Sequence, residues 1–187
     1  MPTSSNTPIF FKVGVKTRAL FILNFLGGEF MLFIFMGPSC SGKSSTAEEL
    51  KKLTDAQIYS GKDYLRMDKN ENNAWKLFEK ILKEGCNSKD LHSKSIIYVI
   101  SEKKDIVKFK FIKDAITINF TADAEIIKSR FAKRMNGVLP KPVESMIDKQ
   151  LLEWKDITAK LYVDTSKDSP SDIAKKIYDL GLIDNNV

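Results

Sequence analysis

The apolar run Met31-Leu32-Phe33-Ile34-Phe35-Met36 leads without a break into Gly37-Pro38-Ser39-Cys40-Ser41-Gly42-Lys43-Ser44. An amphipathic stretch from Lys43 to Leu53 follows. A run without alternation reads as a central parallel strand buried on both faces. Parallel strands need long crossovers, so this one feature constrains the architecture of the remaining chain. The octapeptide satisfies G-x-x-x-x-G-K-[ST] at every position. Gly37 and Gly42 permit the tight turn. The amides of residues 39–44 are then free to point inward at the positive end of a helix, a ready anion site. In such a loop Lys43 reaches β- and γ-phosphate oxygens and the Ser44 hydroxyl holds Mg²⁺. The expected nucleotide cradle is Gly37, Pro38, Ser39, Cys40, Ser41, Gly42, Lys43, Ser44 and Ser45, with Cys40 a spacer rather than a nucleophile. The plainer alternative is a Gly/Ser turn with Lys43 solvated.

Beyond the loop the pattern alternates. Strands are expected at Gln57–Ser60, Ser95–Ile100, Ala115–Phe120 and Leu161–Val163. Helices are expected from a cap at Asn73 to Gly85, with Trp75, Phe78, Ile81 and Leu82 as the inward stripe, and over Ala124–Met135, Val143–Ile157 and Ser171–Leu180. Asn136–Pro142 reads as a break, and residues 86–94 read as a loop. The fold class is α/β, a P-loop NTPase fold whose open parallel five-stranded sheet carries helices on both faces. Trp75 and Trp154 fall in apolar stripes and read as core.

Charge separates the chain into unequal parts. The net charge of +6 includes Lys12, Lys16 and Arg18 within residues 1–28, which hold no acid, leaving 27 of the 30 basic residues against all 24 acidic ones. A body so nearly balanced does not favour nucleic acid as a partner. The basic segment from Lys103 to Lys113, with Phe109 and Phe111, reads as the solvated face of a short helix before it reads as a nucleic-acid contact. Residues 1–30 form a basic, apolar leader read three ways: a start-site extension, an added strand or helix, or a targeting signal. Residues 31–187 form the expected domain, with a small lid near 134–142. Two cysteines among 187 residues suit a reducing compartment, and no apolar run reaches membrane-spanning length, so a cytoplasmic monomer or homodimer is expected. His92 has no companion ligands.

Neither the D-x-x-G nor the N/T-K-x-D string of a GTPase occurs. The third strand runs into Ser101 and Glu102, a weak fit to the acid that closes a motor ATPase strand. A small phosphotransferase suits the length better, and the sequence resembles small P-loop kinases of the gluconate kinase, shikimate kinase and chloramphenicol phosphotransferase type. The resemblance spans Leu32 to Leu180. It rests on Gly37–Ser44, on Ser60-Gly61-Lys62-Asp63-Tyr64-Leu65-Arg66, on Arg130 to Gln150, and on Tyr162-Val163-Asp164-Thr165-Ser166. It departs at Val138, where an aromatic residue is common, and in having no lid histidine. The glycine run of shikimate kinases after strand three is absent, which speaks against shikimate. Ser101-Glu102-Lys103-Lys104-Asp105 shares a serine and charge with the gluconate kinase segment but lacks its substrate arginine.

The resemblance implies ATP and Mg²⁺ as cofactors and a D-x-x-R pair, Asp63 and Arg66, that meets the acceptor hydroxyl. It also implies an adenine pocket at Asp164 and Thr165. The residues themselves leave alternatives. Asp63 either accepts the hydroxyl proton or aligns the hydroxyl, or it serves as a helix cap or solvated loop acid. Arg66 either clamps an anion or pairs with Asp63 or Asp68. Arg130 and Arg134, one turn apart beside a Gly/Pro break, either close over the phosphates or form a charged face. Glu102 either holds a Mg²⁺-bound water or starts a helix. The expected function is transfer of the γ-phosphoryl of ATP to a hydroxyl of a small molecule. The alternatives are a nucleotide or polynucleotide 5′-hydroxyl kinase and a non-catalytic regulatory nucleotide-binding protein.

Overall fold

Five parallel strands in the order β2-β3-β1-β4-β5 make up the sheet of the computed structural model. The structure describes residues 31–87, 94–109, 112 and 115–184. The leader, His92 and Phe111 therefore lie outside the described residues. Along the chain run β1 (Leu32–Met36), α1 (Lys43–Thr54), β2 (Gln57–Ser60), a 3₁₀ turn (Asp63–Arg66), α2 (Glu71–Asn87), β3 (Ile96–Val99) and a second 3₁₀ segment (Lys103–Phe109). β4 (Ile116–Thr121), α3 (Ala124–Arg134), α4 (Lys141–Trp154), β5 (Leu161–Asp164) and α5 (Pro170–Asp184) complete it.

β1 sits centrally because both its faces are apolar. Phe33 and Phe35 pack with Ala47 and Leu50 of α1 and with Ile173, Ala174 and Ile177 of α5. Leu32, Ile34 and Met36 point the other way, onto Phe78 and Leu82 of α2 and onto Tyr64, Tyr98, Phe109 and Trp154. This second layer is aromatic: Trp75 meets Tyr64, Phe78 and Phe109 at centroid distances of 5.3, 5.9 and 5.7 Å. Truncating a fully buried ring such as Phe78 would cost about 3–5 kcal/mol. A third, smaller cluster of Ala122, Ile127 and Ile147 joins α3 to α4. Lys128 strengthens that joint, its Nζ lying 3.1 Å from both Glu144 and Asp148.

Several boundaries differ from the sequence expectation for local reasons. α2 starts two residues before Asn73, because the cap is Asn70, whose side-chain oxygen accepts from the amides of Asn72 and Asn73. Residues 86 and 87 belong to α2 rather than to a loop, since Gly85 is tolerated inside the helix. Ile81, expected in the stripe, is 38% exposed. Pro142 opens α4 rather than ending the break, a position where its missing N–H costs nothing. The polar segment after β2 is a turn of 3₁₀ helix. Among the described residues, no helix is long and apolar enough to cross a membrane.

Candidate functional site

The loop leaves β1 through Gly37, whose φ is +143°. A Cβ there would stand 2.3 Å from the Phe120 carbonyl oxygen of β4, so only glycine lets the chain pass this close to the neighbouring strand. Gly42 turns the chain into α1 with φ +89°, and a Cβ there would meet Thr165 Cγ2 at 2.9 Å. Between them Cys40 takes φ +61° without being glycine. Such a residue costs about 1–3 kcal/mol and persists only where its surroundings hold it. Its side chain packs with Ile126, Phe131, Leu139, Val143 and Leu151 against the Ala122–Ile127–Ile147 cluster. The expected spacer is thus the point where the loop is fastened to α3 and α4.

Lys43 is buried within the cradle. Its Nζ donates to the Gly37 carbonyl oxygen at 2.8 Å, to that of Pro38 at 2.6 Å and to Ser41 Oγ at 3.4 Å. Burial lowers its pKa to about 7; Cys40 opposes the shift and the positive charge of Arg134 adds to it. Ser44 and Ser45, at the start of α1, are exposed, and Ser41 is buried. Ser39 donates its amide to Gln150 Oε1 at 3.1 Å, a contact across 111 residues.

The turn after β5 closes the other side. Thr165 is buried and donates through Oγ1 to the Ser41 carbonyl at 3.1 Å. Arg130 donates to Thr165 Oγ1 at 2.8 Å, to the Thr165 carbonyl at 2.9 Å and to the Cys40 carbonyl at 3.3 Å. Its guanidinium is therefore held between the loop and this turn, while Arg134, one turn on, is exposed. Asp164 accepts the Ser166 amide at 2.9 Å and pairs with Lys167 at 3.2 Å. The Ser166 amide holds its pKa below the ordinary carboxylate value.

Asp63 stands just past the carboxyl end of β2. Its Oδ2 accepts from the Ser60 amide at 2.8 Å and from Ser60 Oγ at 2.9 Å, and its Oδ1 lies 3.5 Å from the exposed Arg66 guanidinium. Both sequence readings of Asp63 remain compatible with this arrangement, because a turn acid held by one oxygen still presents the other. The neighbouring strand contributes Tyr98, whose hydroxyl donates a short hydrogen bond to the Gly61 carbonyl and whose pKa is raised, chiefly by burial. Glu102, past the end of β3, pairs with Lys104 at 2.5 Å, and that hydrogen bond lowers its pKa. Sequence reasoning missed Lys108. Its Nζ is 3.1 Å from Asp105, donates to Tyr64 Oη at 3.3 Å and lies 5.1 Å from the centroids of both Tyr64 and Trp75. The only signal was the closeness of Lys108 to aromatic residues in the basic segment, which does not fix a direction. Phe109, within the basic segment expected to form a solvated face, is buried.

Among the described residues, no three His, Cys, Asp or Glu side chains group as a metal site. The exposed Ser44 hydroxyl still suits Mg²⁺, which keeps several waters and relies on substrate phosphates rather than on an all-protein cage.

No family model and no curated protein matches the chain. Solved structures do. An uncharacterized protein from Eubacterium ventriosum is 18% identical, with 81% of this chain and 98% of that chain covered and a TM-score of 0.60. The YorR protein of Bacillus subtilis, solved in complex with phosphorylated GDP, is 23% identical, with 84% and 99% covered and a TM-score of 0.59. A gluconokinase from Sinorhizobium meliloti is 16% identical, with 84% and 95% covered and a TM-score of 0.55. At these identities the likeness speaks for the fold: the chain shares the five-stranded α/β architecture of gluconate-, shikimate- and sugar-kinase-like P-loop kinases.

Proposed function

We propose that the protein is an ATP- and Mg²⁺-dependent phosphotransferase that moves the γ-phosphoryl group to a hydroxyl of a small molecule. One juxtaposition carries the reading. The Gly37–Ser44 loop follows β1 and Asp63 follows β2, so both open at the same carboxyl edge of a parallel sheet with only β3 between them. Two strand spacings make roughly 10 Å, room for an acceptor between phosphate and carboxylate. Ligands of open α/β sheets bind in this crevice, beyond the carboxyl ends of the strands.

Phosphoryl transfer asks a protein for positioning and charge stabilisation more than for covalent chemistry. Lys43, the loop amides and the N-terminus of α1 would hold the phosphates, and Arg134 is free to approach them from α3. Arg130, with Asp164 and Thr165, would border the nucleotide on the β5 side. Bound Mg²⁺, held by Ser44, would neutralise phosphate charge, and Glu102, past the carboxyl end of the neighbouring β3, would hold one of its waters. Asp63 would align the acceptor hydroxyl and take up its proton, and Arg66 would meet an anionic group on the acceptor.

A nucleotide acceptor is the second reading. Lys62, Lys104 and Lys108 all bear on Glu102 at the acceptor edge, a positive setting for a phosphorylated substrate. The YorR structure holds phosphorylated GDP on the same fold. The test is an ADP-release screen over sugars, sugar acids, nucleosides, nucleoside monophosphates, antibiotics and 5′-hydroxyl oligonucleotides, with Lys43→Met as the dead control. Release stimulated by an acceptor and abolished in the control is expected. Tight MgATP binding with no stimulation by any acceptor class would overturn the kinase reading and leave a regulatory nucleotide-binding protein.

A further inference from the structure

The Pro38–Ser39 peptide is gripped from both sides. Its carbonyl oxygen accepts from Lys43 Nζ at 2.6 Å, and its N–H donates to Gln150 Oε1 at 3.1 Å. A trans peptide points its C=O and N–H in opposite directions, so the lysine and the glutamine hold one rigid plate by opposite edges. The donor is a backbone N–H, so the acceptor is the oxygen of the carboxamide, which removes the usual ambiguity of an amide's two ends. We propose that Gln150 is a positioning residue for Lys43, fixing the rotation of the 38–39 peptide so that the Pro38 carbonyl aims the ammonium at the phosphate site.

Gln150 can do this because its helix is itself anchored. Ile147 and Trp154 of α4 are buried, and the Trp154 carbonyl accepts from Asn119 Nδ2 at 3.2 Å on β4. Asn119 lies in register with Met36, the residue before the loop. α4 is thus tied to the same strand end from which the loop springs. Hydrogen bonds through one peptide also polarise each other: an acceptor on the N–H strengthens the carbonyl as an acceptor for the ammonium. Among the described residues Gln150 is the side-chain partner of the Ser39 amide, and without it the strained loop, with Cys40 already at positive φ, can rotate this peptide. Because α4 directly follows the segment 135–140, a shift of that segment would reach Lys43 through Gln150.

The inference rests on the nucleotide-binding reading, and its test keeps the two apart. MgATP affinity is measured by calorimetry for the wild type, Gln150→Ala, Gln150→Glu, Lys43→Met and Gln150→Ala with Lys43→Met. Gln150→Ala is expected to weaken binding about tenfold, the upper worth of one neutral hydrogen bond. In the Lys43→Met background the same change should matter less than about twofold, since coupled residues are not additive. Gln150→Glu keeps an acceptor for the Ser39 amide and should recover most of the loss. Equal weakening in both backgrounds would show a merely structural role and overturn the proposal, as would full affinity in Gln150→Ala. A wild type that binds no MgATP would instead refute the nucleotide reading. Should Gln150→Ala fail to fold, Gln150→Met, which preserves length and helix propensity, takes its place in the cycle.

Discussion

The low pKa of Lys43 makes nucleotide affinity depend on pH in a direction that can be worked out. In the empty loop burial holds the group near a pKa of about 7. A phosphate beside it favours the charged form and returns the pKa to about its ordinary 10.5 or above. Binding therefore takes up a proton wherever the empty loop is neutral and the bound one charged. At pH 8 about nine-tenths of a proton should be absorbed, and from pH 7.5 to 9 affinity should fall about 20-fold, close to 1.8 kcal/mol. The nucleotide's own last ionisation, near pH 6, is complete across this range and adds nothing. The assay is titration with ADP by calorimetry, repeated in buffers of different ionisation enthalpy to count protons directly. Lys43→Met, which has no proton to take up, should bind weakly and with no slope. A wild-type affinity constant within twofold from pH 7.5 to 9 would refute the reasoning. It would mean that the Gly37 and Pro38 carbonyls keep the ammonium charged despite its burial.

The same shift bears on stability. Between the folded pKa of about 7 and the unfolded value of 10.5 the unfolded chain binds more protons, so stability rises with pH through that window. Lys43→Met should thus raise Tm most at pH 7 and below, with the gain shrinking by pH 10 in a melting series. Asp63→Asn should cut turnover by about 100-fold or more, the usual worth of a positioned proton acceptor, while leaving ADP affinity unchanged; undiminished acceptor-stimulated ADP release would remove Asp63 from its role. Gly37→Ala would drive a Cβ into the Phe120 carbonyl at 2.3 Å. Strain and overpacking together should cost about 2–5 kcal/mol and abolish nucleotide-induced thermal stabilisation.

What could be read from sequence was what local rules decide. The loop was legible because each of its constraints lies within eight residues: a strand that must be buried on both faces, two glycines at turns, a lysine at a helix start. Gln57–Ser60 was read to the residue for the same reason. Residue type alone does not distinguish Asn70 from Asn73 as the cap of α2, because the distinction turns on which side chain faces back onto the first amides. Pro142 illustrates the opposite error, since proline ends one helix and begins another equally well. The contacts that organise the site were beyond reach. Cys40 in the α3–α4 cluster, Thr165 against Gly42 and Gln150 on Ser39 all pair residues whose separation in sequence carries no signal.

This division also separates the two halves of the crevice. On the proposed function phosphates would be met by backbone amides and one lysine, whose placement follows from the loop's path, so almost any chain with this octapeptide builds the same cradle. On the same proposal the acceptor would be met by side chains on short segments after β2 and β3, whose hydrogen bonds differ from atom to atom. Asp63 Oδ2 already accepts twice from Ser60, whereas Oδ1, among the described residues, faces Arg66 at 3.5 Å. A hydroxyl seeking this carboxylate therefore meets it at Oδ1, the oxygen beside the guanidinium. An acceptor carrying a negative group close to its hydroxyl would engage both residues at once, while a neutral one would have to leave Arg66 in water. Glu102 shows the contrary arrangement, its charge matched by Lys104 and surrounded by Lys62 and Lys108. Lys108 in turn is paired with Asp105, so Asp63, Glu102 and Asp105 stand against Arg66, Lys62, Lys104 and Lys108, a surplus of one positive charge. On the proposed kinase function, an anionic acceptor, a phosphorylated or carboxylated alcohol, is therefore favoured by the exposed Arg66 beside Asp63 Oδ1 and not by net charge at this edge.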